Sequence, residues 1–195
     1  DDLGKLRGAP ITDAELNASI AAYNDNRAAL RELYAYRAAK PWQAPTSEVY
    51  LLPRAGMVLP VEEHTALVRQ YLVAAEKLQR PKRDNARVVL TGSFCEQPPL
   101  ALIKSIEMAG CYVVDDDFML VGRWLLDHVP TDGDPLAELS KAFLHRSATT
   151  AAKYEATREE KGVFLMKQVK TRGAEGVVFA APSFCDPALL ERPML

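Results

Sequence analysis

Three short apolar runs, at residues 87–91, 111–114 and 176–180, alternate with segments of helical periodicity, and few folds accept that pattern. Each run reads as a buried strand. The stretch at 98–109 between the first two reads as a helix stopped by Gly110, and a polar, largely helical stretch runs on to about residue 172 before Gly173. This is βαβ organisation, which requires a parallel sheet. Right-handed crossovers place the 87 strand in the middle, the 111 strand on one flank and the 176 strand on the other. The expected fold class is α/β: a Rossmann-like parallel sheet flanked by helices, preceded by an N-terminal helical segment.

That helical segment has its own signals. Thr12 and Glu15 form a capping box, and Leu16, Ile20, Tyr23, Leu30, Leu33 and Tyr34 recur at helical spacing, so one long helix is expected over 11–39. Pro41 ends it. A connector with Pro41, Pro45, Pro53 and Pro60 follows, within which residues 49–52 are expected to be extended. A second helix is expected over 60–79, with Glu62 and Glu63 in its first turn and Pro81 beyond. The chain divides into a helical linking segment at 1–84 and a Rossmann-like domain at 85–195.

At 195 residues and 48% hydrophobic, the chain can bury one α/β core with an added helical layer. Twenty-four basic residues against 26 acidic ones, without long blocks of either sign, argue against a nucleic-acid or anionic-lipid partner. No apolar run reaches membrane-spanning length and no leader pattern opens the chain, so a cytoplasmic protein is the default expectation. Because the chain starts at Asp1 and stops at Leu195 inside an expected helix, it reads as a piece of a longer protein.

Three cysteines do not make a disulfide framework. Two of them lie in near copies: Gly92-Ser93-Phe94-Cys95-Glu96-Gln97-Pro98 and Pro182-Ser183-Phe184-Cys185-Asp186-Pro187. Both follow a strand and precede a helix, which sets them at the carboxyl edge of the sheet, where ligands collect in open α/β folds. Cys95 and Cys185 are therefore expected to be neighbours. Cys111 opens its strand and belongs at the opposite edge. A thiolate at a helix N-terminus is stabilised by unpaired N–H groups and the helix dipole, which suits it to bind metal or attack an electrophile. Cys185 fits best, with Asp186 as N-cap and Pro187 as first helical residue. The competing reading is a small buried core cysteine.

An iron–sulfur cluster would gain from such a position, but two thiolates cannot close a four-iron cube. There is no Cys-x-x-Cys pair, and His64, His128 and His145 show no metal-ligand spacing, so missing ligands would come from elsewhere. The run Asp115, Asp116, Asp117 faces the same edge; such runs are usually solvated turns or caps. Arg123, beside Trp124, suits a ligand phosphate or carboxylate, or a surface ion pair. No Gly-x-Gly-x-x-Gly or Walker pattern supports nucleotide binding, and no histidine is singled out as a base for a Cys-His hydrolase.

The segments at 87–99 (Arg-Val-Val-Leu-Thr-Gly-Ser-Phe-Cys-Glu-Gln-Pro-Pro), 106–117 and 173–187 resemble the benzoyl-CoA reductase and 2-hydroxyacyl-CoA dehydratase family, as does the helix at 14–27. The wording around Cys95 is most similar to a smaller, cluster- and substrate-binding subunit of the reductase branch. The resemblance implies subunits of two Rossmann-like domains, with a 4Fe-4S cluster held by two cysteines of the N-terminal domain and one of a C-terminal Cys-Asp-Pro loop. Cys185 matches that last ligand; Cys95 matches no general ligand but falls beside the same site.

This chain would then be the C-terminal domain without its N-terminal cluster domain, inactive alone, with its thiol open to a shared cofactor. The implied reaction is two-electron reduction of the aromatic ring of benzoyl-CoA to a cyclohexadiene-carboxyl-CoA, in anaerobic aromatic degradation. Implied partners are an aromatic acyl-CoA, a homologous second cluster-binding subunit, ATP-hydrolysing activator subunits and ferredoxin. Phe94 and Phe184 would wall the pocket, while Asp116 and Arg123 would contact substrate. The alternatives are a dehydratase subunit working through a ketyl radical, and a non-catalytic Rossmann-like scaffold.

Overall fold

A computed structural model describes residues 2–92, 98–116, 128–145 and 161–194. Three parallel strands, β1 (Ala86–Thr91), β2 (Cys111–Asp116) and β3 (Gly176–Phe179), form one sheet in the order β2-β1-β3. The expected winding is therefore observed. Val88 pairs with Val113 and Val89 with Asp115, so Val114 is an extra residue that bulges β2. Val88 to Thr91 pair with Gly176 to Phe179 on the other side.

A six-residue helix, α1 (Asp2–Arg7), precedes α2 (Asp13–Ala39). The α2 start is the capping box: Thr12 Oγ1 accepts from the Glu15 amide, and the Glu15 carboxylate accepts from the Thr12 amide at 2.8 Å. The connector departs from expectation. Residues 49–52 are not extended: Val49 ends a short helix, α3 (Thr46–Val49), Leu51 and Leu52 open another, α4 (Leu51–Ala55), and Tyr50 turns between them in helical conformation. Pro53 falls in the first turn of α4, where an amide hydrogen has no intrahelical partner, so it does not oppose helix there. Burial of Val49 and Tyr50 and the Tyr50 hydroxyl's 2.7 Å bond to the Pro98 carbonyl fix the turn.

Helix α5 (Val61–Lys77) follows Pro60. Helix α6 (Leu100–Met108) starts two residues later than expected because Pro99 keeps Pro98 out of helical conformation and is itself extended, at ψ 143°. Next come α7 (Pro135–His145), whose first amides bond to Asp134 Oδ1, and α8 (Lys161–Arg172). The chain closes with α9 (Asp186–Glu191) and a 3-10 turn at Arg192–Met194.

One buried cluster joins these layers. Leu30 and Leu33 of α2, Val49, Val68 of α5, Val88 and Leu90 of β1, Ile103 of α6 and Val113 of β2 pack together. Fully burying a side chain of this size contributes about 1.5–3 kcal/mol. Helices α2 to α5 are thus a layer on the sheet, sharing its core. A smaller cluster of Ile20, Val129 and Ala142 seats α7 on α2, helped by the Asn24 amide, which pairs with both backbone groups of Val129 at 2.8 Å. Among the described residues, no helix is long and apolar enough to cross a membrane.

Candidate functional site

The carboxyl edge of the sheet gathers the residues of interest. Beyond Thr91 and Phe179 the two strands stay together, since the Ala180 amide donates to the Thr91 carbonyl at 2.8 Å. Gly92 leaves β1 with φ at +108°, and a Cβ there would lie 3.1 Å from the Ala180 backbone. Only glycine fits so close a crossing in that conformation. Gly92 and Ala180 therefore leave the sheet side by side. Cys95 and Phe94 lie outside the described residues, as do Asp117, Arg123 and Trp124, so their expected places are not tested.

Cys185 stands at this edge. Its amide bonds to the Pro182 carbonyl at 3.2 Å, and its carbonyl accepts the first helical bond, from the Leu189 amide at 3.0 Å. Cys185, not Asp186, is consequently the N-cap; Asp186 and Pro187 are the first helical residues. The expectation of an open thiol is corrected, because the residue is 5% exposed and covered within the chain. Phe184 beside it is the reverse: 95% exposed, with φ at 64°. A bulky side chain in the left-handed region costs about 1–2 kcal/mol, so this ring is displayed at the rim against its backbone preference.

Within the acidic run, Asp115 and Asp116 are not a solvated turn. Asp115 and Asp116 are the last two residues of β2, and they are 5% and 6% exposed. Strand pairing continues through them because cations from two helices meet them. Arg37 of α2, with no exposed surface, donates from Nη1 to Asp116 Oδ2 at 2.6 Å and has Nη2 3.8 Å from Asp115 Oδ1. Arg172 at the end of α8 donates from Nε to Asp115 Oδ2 at 2.8 Å. The Tyr34 ring lies under the Arg37 guanidinium, 4.5 Å from centroid to Cζ.

Burial works against the charge on Arg37, but Asp116, then Tyr34 and Asp115, outweigh it and raise the guanidinium pKa above its ordinary value. Burial, and next the charge of Asp116, push the Tyr34 hydroxyl far above the usual phenol range. Asp116, expected to contact substrate, thus turns its carboxylate to Arg37. Sequence reasoning missed Arg37, Tyr34 and Arg172. The signal for Arg37 was present: it continues the apolar stripe of Leu30, Leu33 and Tyr34 at helical spacing, where a cation requires a buried partner.

Cys111 opens β2 opposite Ala86, at the amino edge as expected. His64 is buried and engaged at both ring nitrogens: its Nδ1 faces the Asn26 amide and its Nε2 the Leu52 carbonyl, both at 2.9 Å. No group of three or more His, Cys, Asp or Glu among the described residues could hold a metal ion. In them Cys185 is the one thiol at the carboxyl edge, so the described residues offer a single candidate ligand there and a cluster would need further ligands.

A three-stranded parallel sheet flanked by helices, with a buried cysteine and a displayed aromatic ring at its carboxyl edge, defines a Rossmann-like α/β protein with a candidate site at that rim. The family model for 2-hydroxyglutaryl-CoA dehydratase, D-component, matches residues 1–195, and the chain belongs to that family. It is 59% identical over 195 residues to one of the benzoyl-CoA reductase subunits of Thauera aromatica, covering 100% of this chain and 50% of that protein. It is also similar to lactoyl-CoA dehydratase subunit beta of Anaerotignum propionicum, at 29% identity over 194 residues, or 99% of this chain and 51% of that one. The (R)-phenyllactyl-CoA dehydratase beta subunit of Clostridium sporogenes is 26% identical over 196 residues, or 100% and 51%. The chain spans about half the length of these relatives, all of which are named as subunits.

Proposed function

We propose that this chain is part of a subunit of a cytoplasmic, ATP-dependent benzoyl-CoA reductase, and that Cys185 is the ligand it lends to a 4Fe-4S cluster. The observation that carries the reading is the 59% identity to the Thauera reductase subunit along the whole chain, against 29% or less for the dehydratase subunits. The reaction would reduce the aromatic ring of benzoyl-CoA to a cyclohexadiene-carboxyl-CoA, with electrons from ferredoxin delivered through an ATP-hydrolysing partner. A second cluster-binding subunit would pair with this one. The cluster, when bound, supplies the low-potential electrons.

The chain's own residues have separate tasks in this scheme. Cys185 holds its place through the backbone bonds at the start of α9. Phe184 offers an apolar face to an aromatic acyl group or to the facing domain. Asp116 braces the end of β2 through Arg37 and leaves the substrate to other groups. Cys95, Phe94 and Arg123 remain candidates for the same pocket.

The 5% exposure of Cys185 favours one alternative, a non-catalytic scaffold whose cysteine is a core residue. Anaerobic reconstitution of the full-length protein with iron and sulfide, read by cluster absorbance and iron content, separates the two. Loss of iron in Cys185→Ala is the expected result; equal loading in both proteins would establish the scaffold. Assay of the assembled complex with benzoyl-CoA and with a 2-hydroxyacyl-CoA then separates reductase from dehydratase.

A further inference from the structure

At the amino edge of the sheet, away from the cysteine rim, a cavity of about 250 Å3 opens between the α2–α3 connector, the segment after α5 and the start of β2. Its aromatic surface comes from Trp42 and Tyr112, whose ring centroids are 6.4 Å apart and tilted by 56°. The walls are tied in place. Arg80 is forked onto Glu48 at 2.6 and 3.1 Å and onto the Gln43 carbonyl, Thr46 donates to the Val113 carbonyl, and the Tyr112 hydroxyl accepts from the Arg83 amide at 2.7 Å.

Other polar groups on this lining are not committed to one another. The Arg83 guanidinium and the Asn85 amide have no partner among the described residues, and Lys82, outside the lining itself, carries its ammonium 5.1 Å above the Trp42 ring at its border. Glu107 accepts from the Ser47 amide through Oε1, which leaves acceptor capacity on its other oxygen. An aromatic face, an amide able to pair with a base edge, a carboxylate able to accept from sugar hydroxyls and two cations beside them make a consistent set. A purely apolar ligand would leave Arg83 and Asn85 without use, and an inorganic anion would leave the rings without use.

We propose that this cavity binds an adenine ribonucleotide, with the base against Trp42 and Tyr112, its edge at Asn85, ribose at Glu107 and phosphate at Arg83 and Lys82. No nucleotide motif in the sequence marks the site, because its residues come from four separate segments. The same chemistry is presented by a free nucleotide and by the adenosine-phosphate end of a coenzyme A thioester. The inference is independent of cluster binding at the carboxyl rim.

Cys111 lines the same cavity and reports on it. The test is the rate of Cys111 alkylation by iodoacetamide in the full-length protein, followed by peptide mass spectrometry, with AMP, adenosine, adenosine bisphosphate or coenzyme A present. Saturable protection by AMP or by the bisphosphate, with adenosine weaker, is expected. The tighter of the two identifies the source as free nucleotide or coenzyme A. Arg83→Glu, on an exposed side chain, should weaken protection about tenfold or more, and Trp42→Ala likewise, while Cys185→Ala should leave it unchanged. Absence of protection by every probe, or undiminished protection in Arg83→Glu, would overturn the proposal.

Discussion

Arg37 Nη1 lies 2.6 Å from Asp116 Oδ2, and neither side chain has more than 1% of its surface exposed. The pair bolts α2, which belongs to the N-terminal helical layer, to the end of β2. Taking two charges out of water is compensated only by close geometry, so loss of one partner leaves the other stranded. Arg37→Met should therefore destabilise the protein by about 3–5 kcal/mol in urea unfolding. Replacing both, as Arg37→Met with Asp116→Leu, should recover a large part of that. A double variant no more stable than the single one would mean that the pair is not the unit of stabilisation.

Phe184 gives a prediction in which stability and function move in opposite directions. Its ring is 95% exposed, and its φ of 64° is one that glycine adopts freely. Phe184→Gly should raise stability by about 0.5–1 kcal/mol in thermal or urea unfolding of this chain. In the assembled complex the same change should lower turnover or partner affinity. Unchanged activity would remove the ring from the proposed site.

Gly92 has the opposite sensitivity. A Cβ at this residue would sit 3.1–3.2 Å from three backbone atoms of Ala180, in a conformation that alanine resists. Gly92→Ala should cost about 1–3 kcal/mol. It should also weaken any activity that depends on the adjacent loop. Circular dichroism melting of the variant measures the first effect, and wild-type stability would refute the crossing geometry.

Glu15 sets a pH window. The Arg7 side-chain bond first, then the Thr12 backbone and side-chain bonds, lower its carboxyl from an ordinary 4.5 to about 2. A carboxyl depressed by folding adds stability that is complete above its unfolded pKa and is lost as pH falls through the folded one. The contribution should be present above about 4.5 and fade toward about 2. Side-chain NMR titration should follow that midpoint, and Glu15→Gln should flatten the acid limb of helix unfolding. A midpoint near the ordinary value would exclude the Arg7 and Thr12 bonds in solution.

What the residues alone carried were features settled within a few positions of one another. Thr12 and Glu15 start α2 through bonds three residues apart, Gly110 ends the α6 turn, and the three apolar runs dictate parallel pairing because short strands joined by helices have no other common arrangement. The positions of Cys185 and Cys111 on opposite edges follow directly from that alternation.

The tertiary structure decided what depends on partners distant in sequence. Asp115 and Asp116 read as solvated because nothing near them is basic, yet Arg37, about eighty positions earlier, and Arg172 draw them into the strand and bury them. Val49 to Leu52 carry strand-like side chains but are helical, since burial of Val49 and Tyr50 against the sheet outweighs local preference. The amino-edge cavity has no sequence signature for the same reason. Periodicity and spacing report short-range backbone geometry, whereas charge pairing and cavity shape arise only when separate segments are packed together.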